Sequence, residues 1–377
     1  MRIGIDARTL PDGFGGIARM VSNLVTQLAR IDQVNEYFLY SKLDFKLHIE
    51  NPRWHKRILQ KRRFRPLSGY FLTGVGGMIA EDEIDVFWEA HSILPFWLPP
   101  RISKVLSVYD FVWRLFPETM QFRNRLTLQL LAEGSLRKAD RIISDSQNTL
   151  RDMERLFQVP ASKGVVVYPG VLPDYWPRDA RLAAGQIASK YGASQNYICT
   201  VGTLEPRKNF STLVEAVRIL RERGKCGLQL LIAGGSGWKN SEALLRESIA
   251  RAGLGEAEVK LLGYVPEQDL PVLYSGARVF LYPSIYEGFG IPLIEAMACG
   301  VPVVASNDSS IPEVVQDAGI LVSPKRPEEF AEAIAALEDN PELRARLVEK
   351  GFERARQFRY ENEAKKLLGV FEELELS

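Results

Sequence analysis

At 377 residues the chain is too long for one ordinary hydrophobic core, and two domains are expected. Its 46% hydrophobic and 25% charged residues are an ordinary globular mix, and a formal net charge of +1 supplies no overall field to draw in nucleic acid. Cys199, Cys226 and Cys299 are widely spaced and form no CxxC, which argues against a disulfide framework or a zinc site and fits a reducing cytoplasm.

In chain order, MRIGIDARTL opens with a strand, Arg2 to Asp6, and has neither a long apolar core nor a small-residue cleavage site, so no signal peptide is expected. A glycine loop, Gly13 to Gly16, then leads into a helical pattern from Ile17 to Arg30. This loop is longer than a dinucleotide fingerprint allows and reads GFGG. The second strand, Glu36 to Tyr40, runs into Ser41-Lys42 without the acid that such a fingerprint needs. Both points count against a nicotinamide enzyme and leave a tight turn capping the helix. From Asn51 to Ala80 there is no acidic residue, while Arg53, Lys56, Arg57, Lys61, Arg62, Arg63 and Arg65 cluster with Trp54 and Phe64. Residues 53–65 read either as a surface for anionic lipid or an anionic acceptor, or as a solvated loop or helix face. No apolar run reaches the roughly 18 residues of a spanning helix, so a cytoplasmic protein is expected, at most peripheral on the inner face of the plasma membrane.

Strands are expected at Val86 to Glu89, Val105 to Val108 and Arg141 to Ser144, with a helix from Leu126 to Lys138. Val165 to Tyr168 runs into Pro169-Gly170 and the loop VLPDYWP, which places a domain boundary near 170 to 180. A second α/β pattern follows: strand Ile198 to Val201, helix Phe210 to Glu222, strand Leu228 to Ala233 and helix Glu242 to Ala252. It continues with strand Val259 to Leu262, helix Gln268 to Tyr274 and strand Val279 to Tyr282. The predicted class is α/β, two doubly wound Rossmann-like domains facing across a cleft lined by strand carboxyl ends. The domains are 1–172 and 173–355, followed by a C-terminal helix, 356–377.

The stretch after the last of those strands, YEGFGIPLIEAMACGVPVVAS from Tyr286, carries the chemistry. Gly288 and Gly290 let backbone approach a ligand and adopt positive φ, and Pro292 suits the first turn of a helix. Free N–H groups at such a start favour an anion, and Glu295 stands near the end of the first turn with Glu287 on the loop before it. A phosphate flanked by hydroxyls, as in a nucleotide sugar, suits this spacing. The plainer reading makes Glu295 a complement to the helix dipole and Glu287 a solvated loop residue.

This stretch, followed by SSIPEVV from Ser309, resembles the retaining glycosyltransferases of GT-B fold in the large family 4 group, whose signature is two glutamates separated by seven residues. Glu287 and Glu295 match it. So do Val201-Gly202-Thr203 with Glu205-Pro206-Arg207-Lys208-Asn209, Ala233-Gly234-Gly235 and Leu262-Gly263-Tyr264-Val265-Pro266. The resemblance implies that Glu295 binds the ribose hydroxyls, that Glu287 lies near the sugar hydroxyls, and that backbone around Gly288, Phe289, Gly290 and Ile291 holds sugar and phosphate. Gly202, Gly234 and Val265 fall in the donor-binding loops. Arg207 and Lys208 fit the basic pair that neutralises the leaving diphosphate, and preorganised cations there stabilise the transition state in place of a metal; no metal or other cofactor is expected. Gly15 and Gly16 would approach the diphosphate from the N-terminal domain. Many relatives carry a His-Asp pair where this chain has Tyr109-Asp110, and a phenol is a poor base near neutral pH, so proton uptake falls to the leaving phosphate in a same-face displacement. His91, in EAHSIL, is the other candidate in that region, beside a plain structural role. In relatives the last helix packs back on the first domain, here through Leu367, Leu368, Val370 and Phe371.

The resemblance thus implies transfer of a hexosyl group, best matched by mannosyl from GDP-mannose, from a nucleoside diphosphate sugar to a saccharide or lipid-linked saccharide acceptor in surface-polysaccharide or glycolipid synthesis. The donor belongs to the C-terminal domain and the acceptor to the N-terminal one. Transfer of rhamnose or of a UDP-hexose, epimerase chemistry, and non-catalytic binding of a sugar nucleotide are the alternatives.

Overall fold

Short apolar strands alternating with longer helices let a parallel sheet be covered on both faces, and the computed structural model contains two such sheets. It describes residues 1–11, 15–47, 49–59, 67–120, 122–225, 227–237 and 240–375, with backbone alone over 67–70. The chain divides into one unit of Met1–Arg114, Phe122–Gly170 and Arg359–Ser377, and a second of Leu115–Gln121 and Val171–Phe358.

The first unit begins with β1 (Arg2–Asp6), α1 (Gly16–Ile31), β2 (Glu36–Ser41), β3 (Trp54–Ile58), α2 (Leu67–Glu81) and β4 (Val86–Glu89). It continues with β5 (Ser103–Val108), α3 (Val112–Leu115), α4 (Phe122–Lys138), β6 (Arg141–Ser144), α5 (Gln147–Phe157) and β7 (Gly164–Val166). The strands lie in the order β3-β2-β1-β4-β5-β6-β7, all parallel. β1 is flanked by β2 on one side and β4 on the other, so the order reverses between β1 and β4, the crevice where open sheets take ligands.

Two expectations change here. The segment around 53–58 is neither a solvated loop nor a helix face: Trp54–Ile58 is the edge strand of the sheet, paired in register with β2. Trp54 stacks on Tyr37 with ring centroids 4.0 Å apart, and this contact holds a strand that its basic residues would not announce. Lys56 pairs with Asp44, and Arg57 with Asp82. Lys61, Arg62, Arg63, Phe64 and Arg65, also part of that basic segment, lie outside the described residues, as does Gly13. The helix expected from Leu126 starts at Phe122, one turn earlier.

The second unit runs α6 (Ala180–Tyr191), β8 (Tyr197–Val201), α7 (Phe210–Glu222), β9 (Gln229–Ala233), α8 (Ser241–Arg251), β10 (Val259–Gly263), α9 (Leu270–Ser275) and β11 (Phe280–Tyr282). It ends with α10 (Ile291–Ala298), β12 (Val303–Ser306), α11 (Ile311–Val315), β13 (Gly319–Val322), α12 (Pro327–Asp339) and α13 (Pro341–Ala355). Its parallel order, β10-β9-β8-β11-β12-β13, reverses between β8 and β11. A single apolar cluster, including Leu213, Val214, Leu230, Leu281, Val304 and Phe330, joins the strands to α7 and α12. The remaining helix, α14 (Tyr360–Glu375), belongs to the first unit, where it packs on α1 with Ala364, Leu367, Val370 and Phe371 buried. Leu368 is only partly buried.

The loops after β8 and β9 run against each other: Gly202 N–H donates to the Ala233 carbonyl at 2.9 Å and Leu204 N–H to that of Gly235 at 3.1 Å. A Cβ added at Gly234 would stand 1.9 Å from the Gly202 carbonyl oxygen, whereas one at Gly235 would meet nothing within 4 Å. Gly234→Ala should therefore cost about 2–3 kcal/mol of stability, and Gly235→Ala under about 0.5 kcal/mol, as read by thermal or urea midpoints of the two variants.

Candidate functional site

The switch point of the second unit is built from two loops. The one after β8 ends in a single 3-10 turn, Pro206–Lys208, and Asn209 then takes a left-handed conformation at φ 56° before α7. The one after β11, Pro283 to Gly290, ends where Gly290, at φ 106°, starts α10. The Asn209 amide donates to the Pro283 carbonyl at 3.2 Å and to that of Pro324 at 2.7 Å, and Ile285 N–H donates to the Arg207 carbonyl at 2.8 Å. Ser309 Oγ accepts from Glu287 N–H at 3.0 Å, and Ser310 Oγ donates to the Glu287 and Phe289 carbonyls at 3.0 and 3.1 Å. The SSIPEVV segment thus acts as a splint for the Glu287 loop.

Glu287 is 6% exposed. Lys208 Nζ donates to its Oε1 at 2.6 Å and Arg207 Nη1 to its Oε2 at 2.8 Å. Arg207 also donates to the Tyr286 carbonyl at 3.0 Å and, through Nε, to Glu205 Oε2 at 2.8 Å. Lys208 donates to the Tyr282 hydroxyl at 3.2 Å. Burial alone would raise the Glu287 carboxyl, but the charges and hydrogen bonds of Lys208 and Arg207 overcome it and hold it down at about 2. Burial lowers the Lys208 ammonium from its usual range, the pull of Glu287 opposes this and the neighbouring Arg207 adds to it. Glu287, Arg207 and Lys208 are therefore not solvated loop residues but one ionic assembly, at the place where the strand order reverses.

The other residues singled out in the sequence fall around it or in the first unit. Gly288, Phe289 and Gly290 are buried, and Phe289 packs edge-on to Phe358 with centroids 5.3 Å apart. Ile291 opens α10. Glu295, on α10, is 2% exposed and accepts from the Tyr274 hydroxyl at 3.0 Å. Gly202 lies beside the Lys208 side chain, Gly234 packs against Gly202 as above, and Val265 is buried in the loop after β10. Gly15, at φ 93°, precedes α1 with open space where a side chain would be, and Gly16 is the first residue of that helix. Tyr109 follows β5; burial pushes its phenol up, and the charges of Asp145, Asp6 and Glu89 add to this, so it stays protonated near neutral pH.

Sequence reasoning missed Glu205 and Tyr282 as partners of the cations, and Phe116, whose ring lies 5.5 Å from that of Tyr286. It also missed a second ionic cluster, at the switch point of the first unit, where Arg8 bridges Asp6 at the end of β1 and Glu89 at the end of β4. The only signal for it was the position of these residues at strand ends.

With this geometry in hand, comparison with known proteins is specific. Residues 14–175 match the model for Glycosyltransferase Family 4 and residues 187–354 that for Glycosyl transferases group 1. The chain is 32% identical over 360 residues to O-antigen chain mannosyltransferase B of Escherichia coli, covering 92% of this chain and 93% of that one. It is 30% identical over 311 residues to D-inositol 3-phosphate glycosyltransferase of Segniliparus rotundus, covering 81% and 65%. Among solved structures, sucrose-phosphate synthase from Thermosynechococcus elongatus superposes with a TM-score of 0.77 at 20% identity over 99% of both chains. Anabaena Alr3699/HepE in complex with UDP-glucose gives 0.75 at 18% identity over 99% and 100%. These two establish the shared fold.

A carboxyl held at about 2, against a usual 4.5, stabilises the fold fully above the usual value, and the contribution is lost as pH falls through about 2. Glu287→Gln, which leaves Lys208 and Arg207 facing each other without their anion, should lower stability at pH 7 by about 3 kcal/mol. The gap from wild type should close as pH is lowered from 4.5 towards 2, in urea unfolding measured across that range.

Proposed function

Because the chain belongs to the family 4 glycosyltransferases of GT-B fold, we propose that it transfers a hexosyl group from a nucleoside diphosphate sugar to an acceptor hydroxyl, with retention at the anomeric carbon. The observation that carries this reading is the Arg207–Lys208–Glu287 assembly beside the glycine loop that starts α10. Two cations fixed by one buried carboxylate are oriented before any ligand arrives, which is what stabilising a leaving diphosphate requires. Glu287 sets their direction, and no metal is needed for the charge they offset. Glu295, kept in place by Tyr274, has the acceptor chemistry for a ribose diol. The sugar–phosphate bond breaks as the acceptor oxygen bonds to the same face of the anomeric carbon, and the hydroxyl proton passes to the leaving phosphate oxygen. Tyr109, protonated near neutral pH, takes no part as a base.

Mannosyl from GDP-mannose is the transfer we favour, on the 32% identity to the O-antigen chain mannosyltransferase over nearly the whole chain. Synthesis of a surface polysaccharide follows from the same likeness. A cytoplasmic protein resting on an anionic bilayer that carries its acceptor is our reading of its location. Beside residues 53–65, α4 supports this reading, since Phe122, Leu126 and Leu130 form an exposed apolar row at helical spacing. Arg123 and Arg125 flank that row, and Arg137 and Lys138 close the helix. Among the described residues no helix is long and apolar enough to cross a membrane.

Two measurements test these statements. In a thermal-shift panel with GDP-, UDP-, dTDP- and ADP-sugars, GDP-mannose should raise the midpoint most, and Lys208→Ala should lower kcat for transfer by about a hundredfold or more while keeping the fold; unchanged transfer would remove Lys208 from the phosphate role. Vesicles of phosphatidylcholine and phosphatidylglycerol should retain the protein in a salt-sensitive way, and Leu130→Glu should weaken that retention by at least about tenfold. Equal partition to vesicles of phosphatidylcholine alone would discard the membrane reading.

A further inference from the structure

The cluster at the switch point of the first unit is built as fully as the one in the second. Asp6 and Glu89 are both 0% exposed, at the carboxyl ends of adjacent strands. Arg8 lies between them: its Nη2 donates to Asp6 Oδ2 at 2.7 Å and to Glu89 Oε1 at 2.5 Å, and its Nε to Asp6 Oδ1 at 2.9 Å. The guanidinium carbon stands 4.1 Å from the centroid of the buried Phe71 ring. Two residues past Glu89, His91 turns its backbone N–H onto Glu89 Oε1 at 3.0 Å. Its Nε2 is buried and has no hydrogen-bond partner among the described residues. Glu287 of the other unit has both oxygens engaged; this imidazole nitrogen, two residues past the end of β4, is instead left unengaged.

The charge states narrow what would fill it. Burial acts on Asp6 against its charge, but Arg8 and His91 nearby and the hydrogen bonds from Arg8 and Glu89 keep it ionised, at about 2. Burial raises the Glu89 carboxyl well above its usual value, with Asp6 adding to this against Arg8. Burial likewise lowers the His91 imidazole, with Arg8 and Lys42 adding to this against Asp6, so it is neutral. The one cation of the cluster, Arg8, is already paired with both carboxyl groups. A phosphate would meet Asp6 and find Arg8 taken, and a cation would meet Arg8 between the two carboxyl groups. A neutral hydroxyl, which both donates and accepts, fits either tautomer of a neutral imidazole.

We propose that Asp6, Arg8, Glu89 and His91 form the subsite that positions the acceptor sugar, with His91 Nε2 hydrogen-bonded to one of its hydroxyls. This deepens the hexosyl-transfer reading and rests on it. Asp6 and Arg8 act through Glu89, fixing the loop that carries His91; these three are positioning residues, His91 binds the acceptor directly, and the reacting proton passes through none of them.

The test uses the full chain labelled with 13C,15N-histidine. It has three histidines, His48, His55 and His91, so His48→Gln and His55→Gln assign the His91 imidazole by elimination even if a His91 variant does not fold. Methyl α-mannoside, methyl α-rhamnoside and methyl β-glucoside are titrated in the presence of the donor that raises the midpoint. The expected result is a saturable shift of His91 Nε2 with at least one glycoside. For that glycoside as acceptor, His91→Gln should raise KM about tenfold, with the donor KM within about twofold of wild type. A donor that binds while all three glycosides leave His91 unmoved overturns the subsite and spares the donor reading. So does an acceptor KM unchanged in His91→Gln. No midpoint shift with any nucleotide sugar overturns the hexosyl-transfer reading itself, and the subsite with it.

Discussion

A carboxylate taken out of water has to be compensated, and Glu287 is compensated by two cations at once. Much of the local structure exists to make that possible. Asn209 adopts a left-handed backbone so that its amide can tie the turn carrying Arg207 and Lys208 to the loop carrying Glu287. The backbones of Arg207 and Ile285 are joined directly, and Ser309 and Ser310 hold the loop from its other side. The lysine is depressed by the burial that this arrangement imposes, so an incoming anion would relieve a cost already present in the fold. Rigid placement and electrostatic readiness are here the same property.

The two units solve the same problem with opposite signs. Each is a parallel sheet whose order reverses once, between β1 and β4 or between β8 and β11, and each sets an ionic assembly at that reversal. In the second unit an anion, Glu287, is held between two cations. In the first a cation is held between two carboxyl groups. A shared architecture thus carries two ionic assemblies, each at its own reversal of strand order.

Much of this could be read in the sequence wherever the determinant was local. The run from Val279 to Met297 announced strand, glycine loop and Pro-started helix, and β11 and α10 are there within two residues. Two parallel-sheet units followed from the alternation of short strands with amphipathic helices. What escaped depended on neighbours distant in sequence. Glu287 meets Arg207 and Lys208 only because β8 and β11 are adjacent in the sheet, a consequence of strand order that no spacing encodes. Asp6 and Glu89 meet for the same reason, through the adjacency of β1 and β4. The Tyr274 hydroxyl on Glu295 needs α9 to pack beside α10. β3 was hidden because His55, Lys56 and Arg57 dilute its strand pattern, and the stack of Trp54 on Tyr37 that supports it spans a loop.

The docking of α14 on α1 sets an order of events during synthesis. The first unit is assembled from segments on either side of the second, Met1–Arg114 and Phe122–Gly170 before it and Arg359 onward after it. Its core lacks Ala364, Leu367, Val370 and Phe371 until the last helix has left the ribosome. The second unit, apart from the short Leu115–Gln121 piece, is continuous from Val171 to Phe358 and is available in full before then. Vectorial synthesis therefore leaves the first unit incomplete after the second has been made: the face of α1 that α14 covers stays open until Tyr360–Glu375 is available.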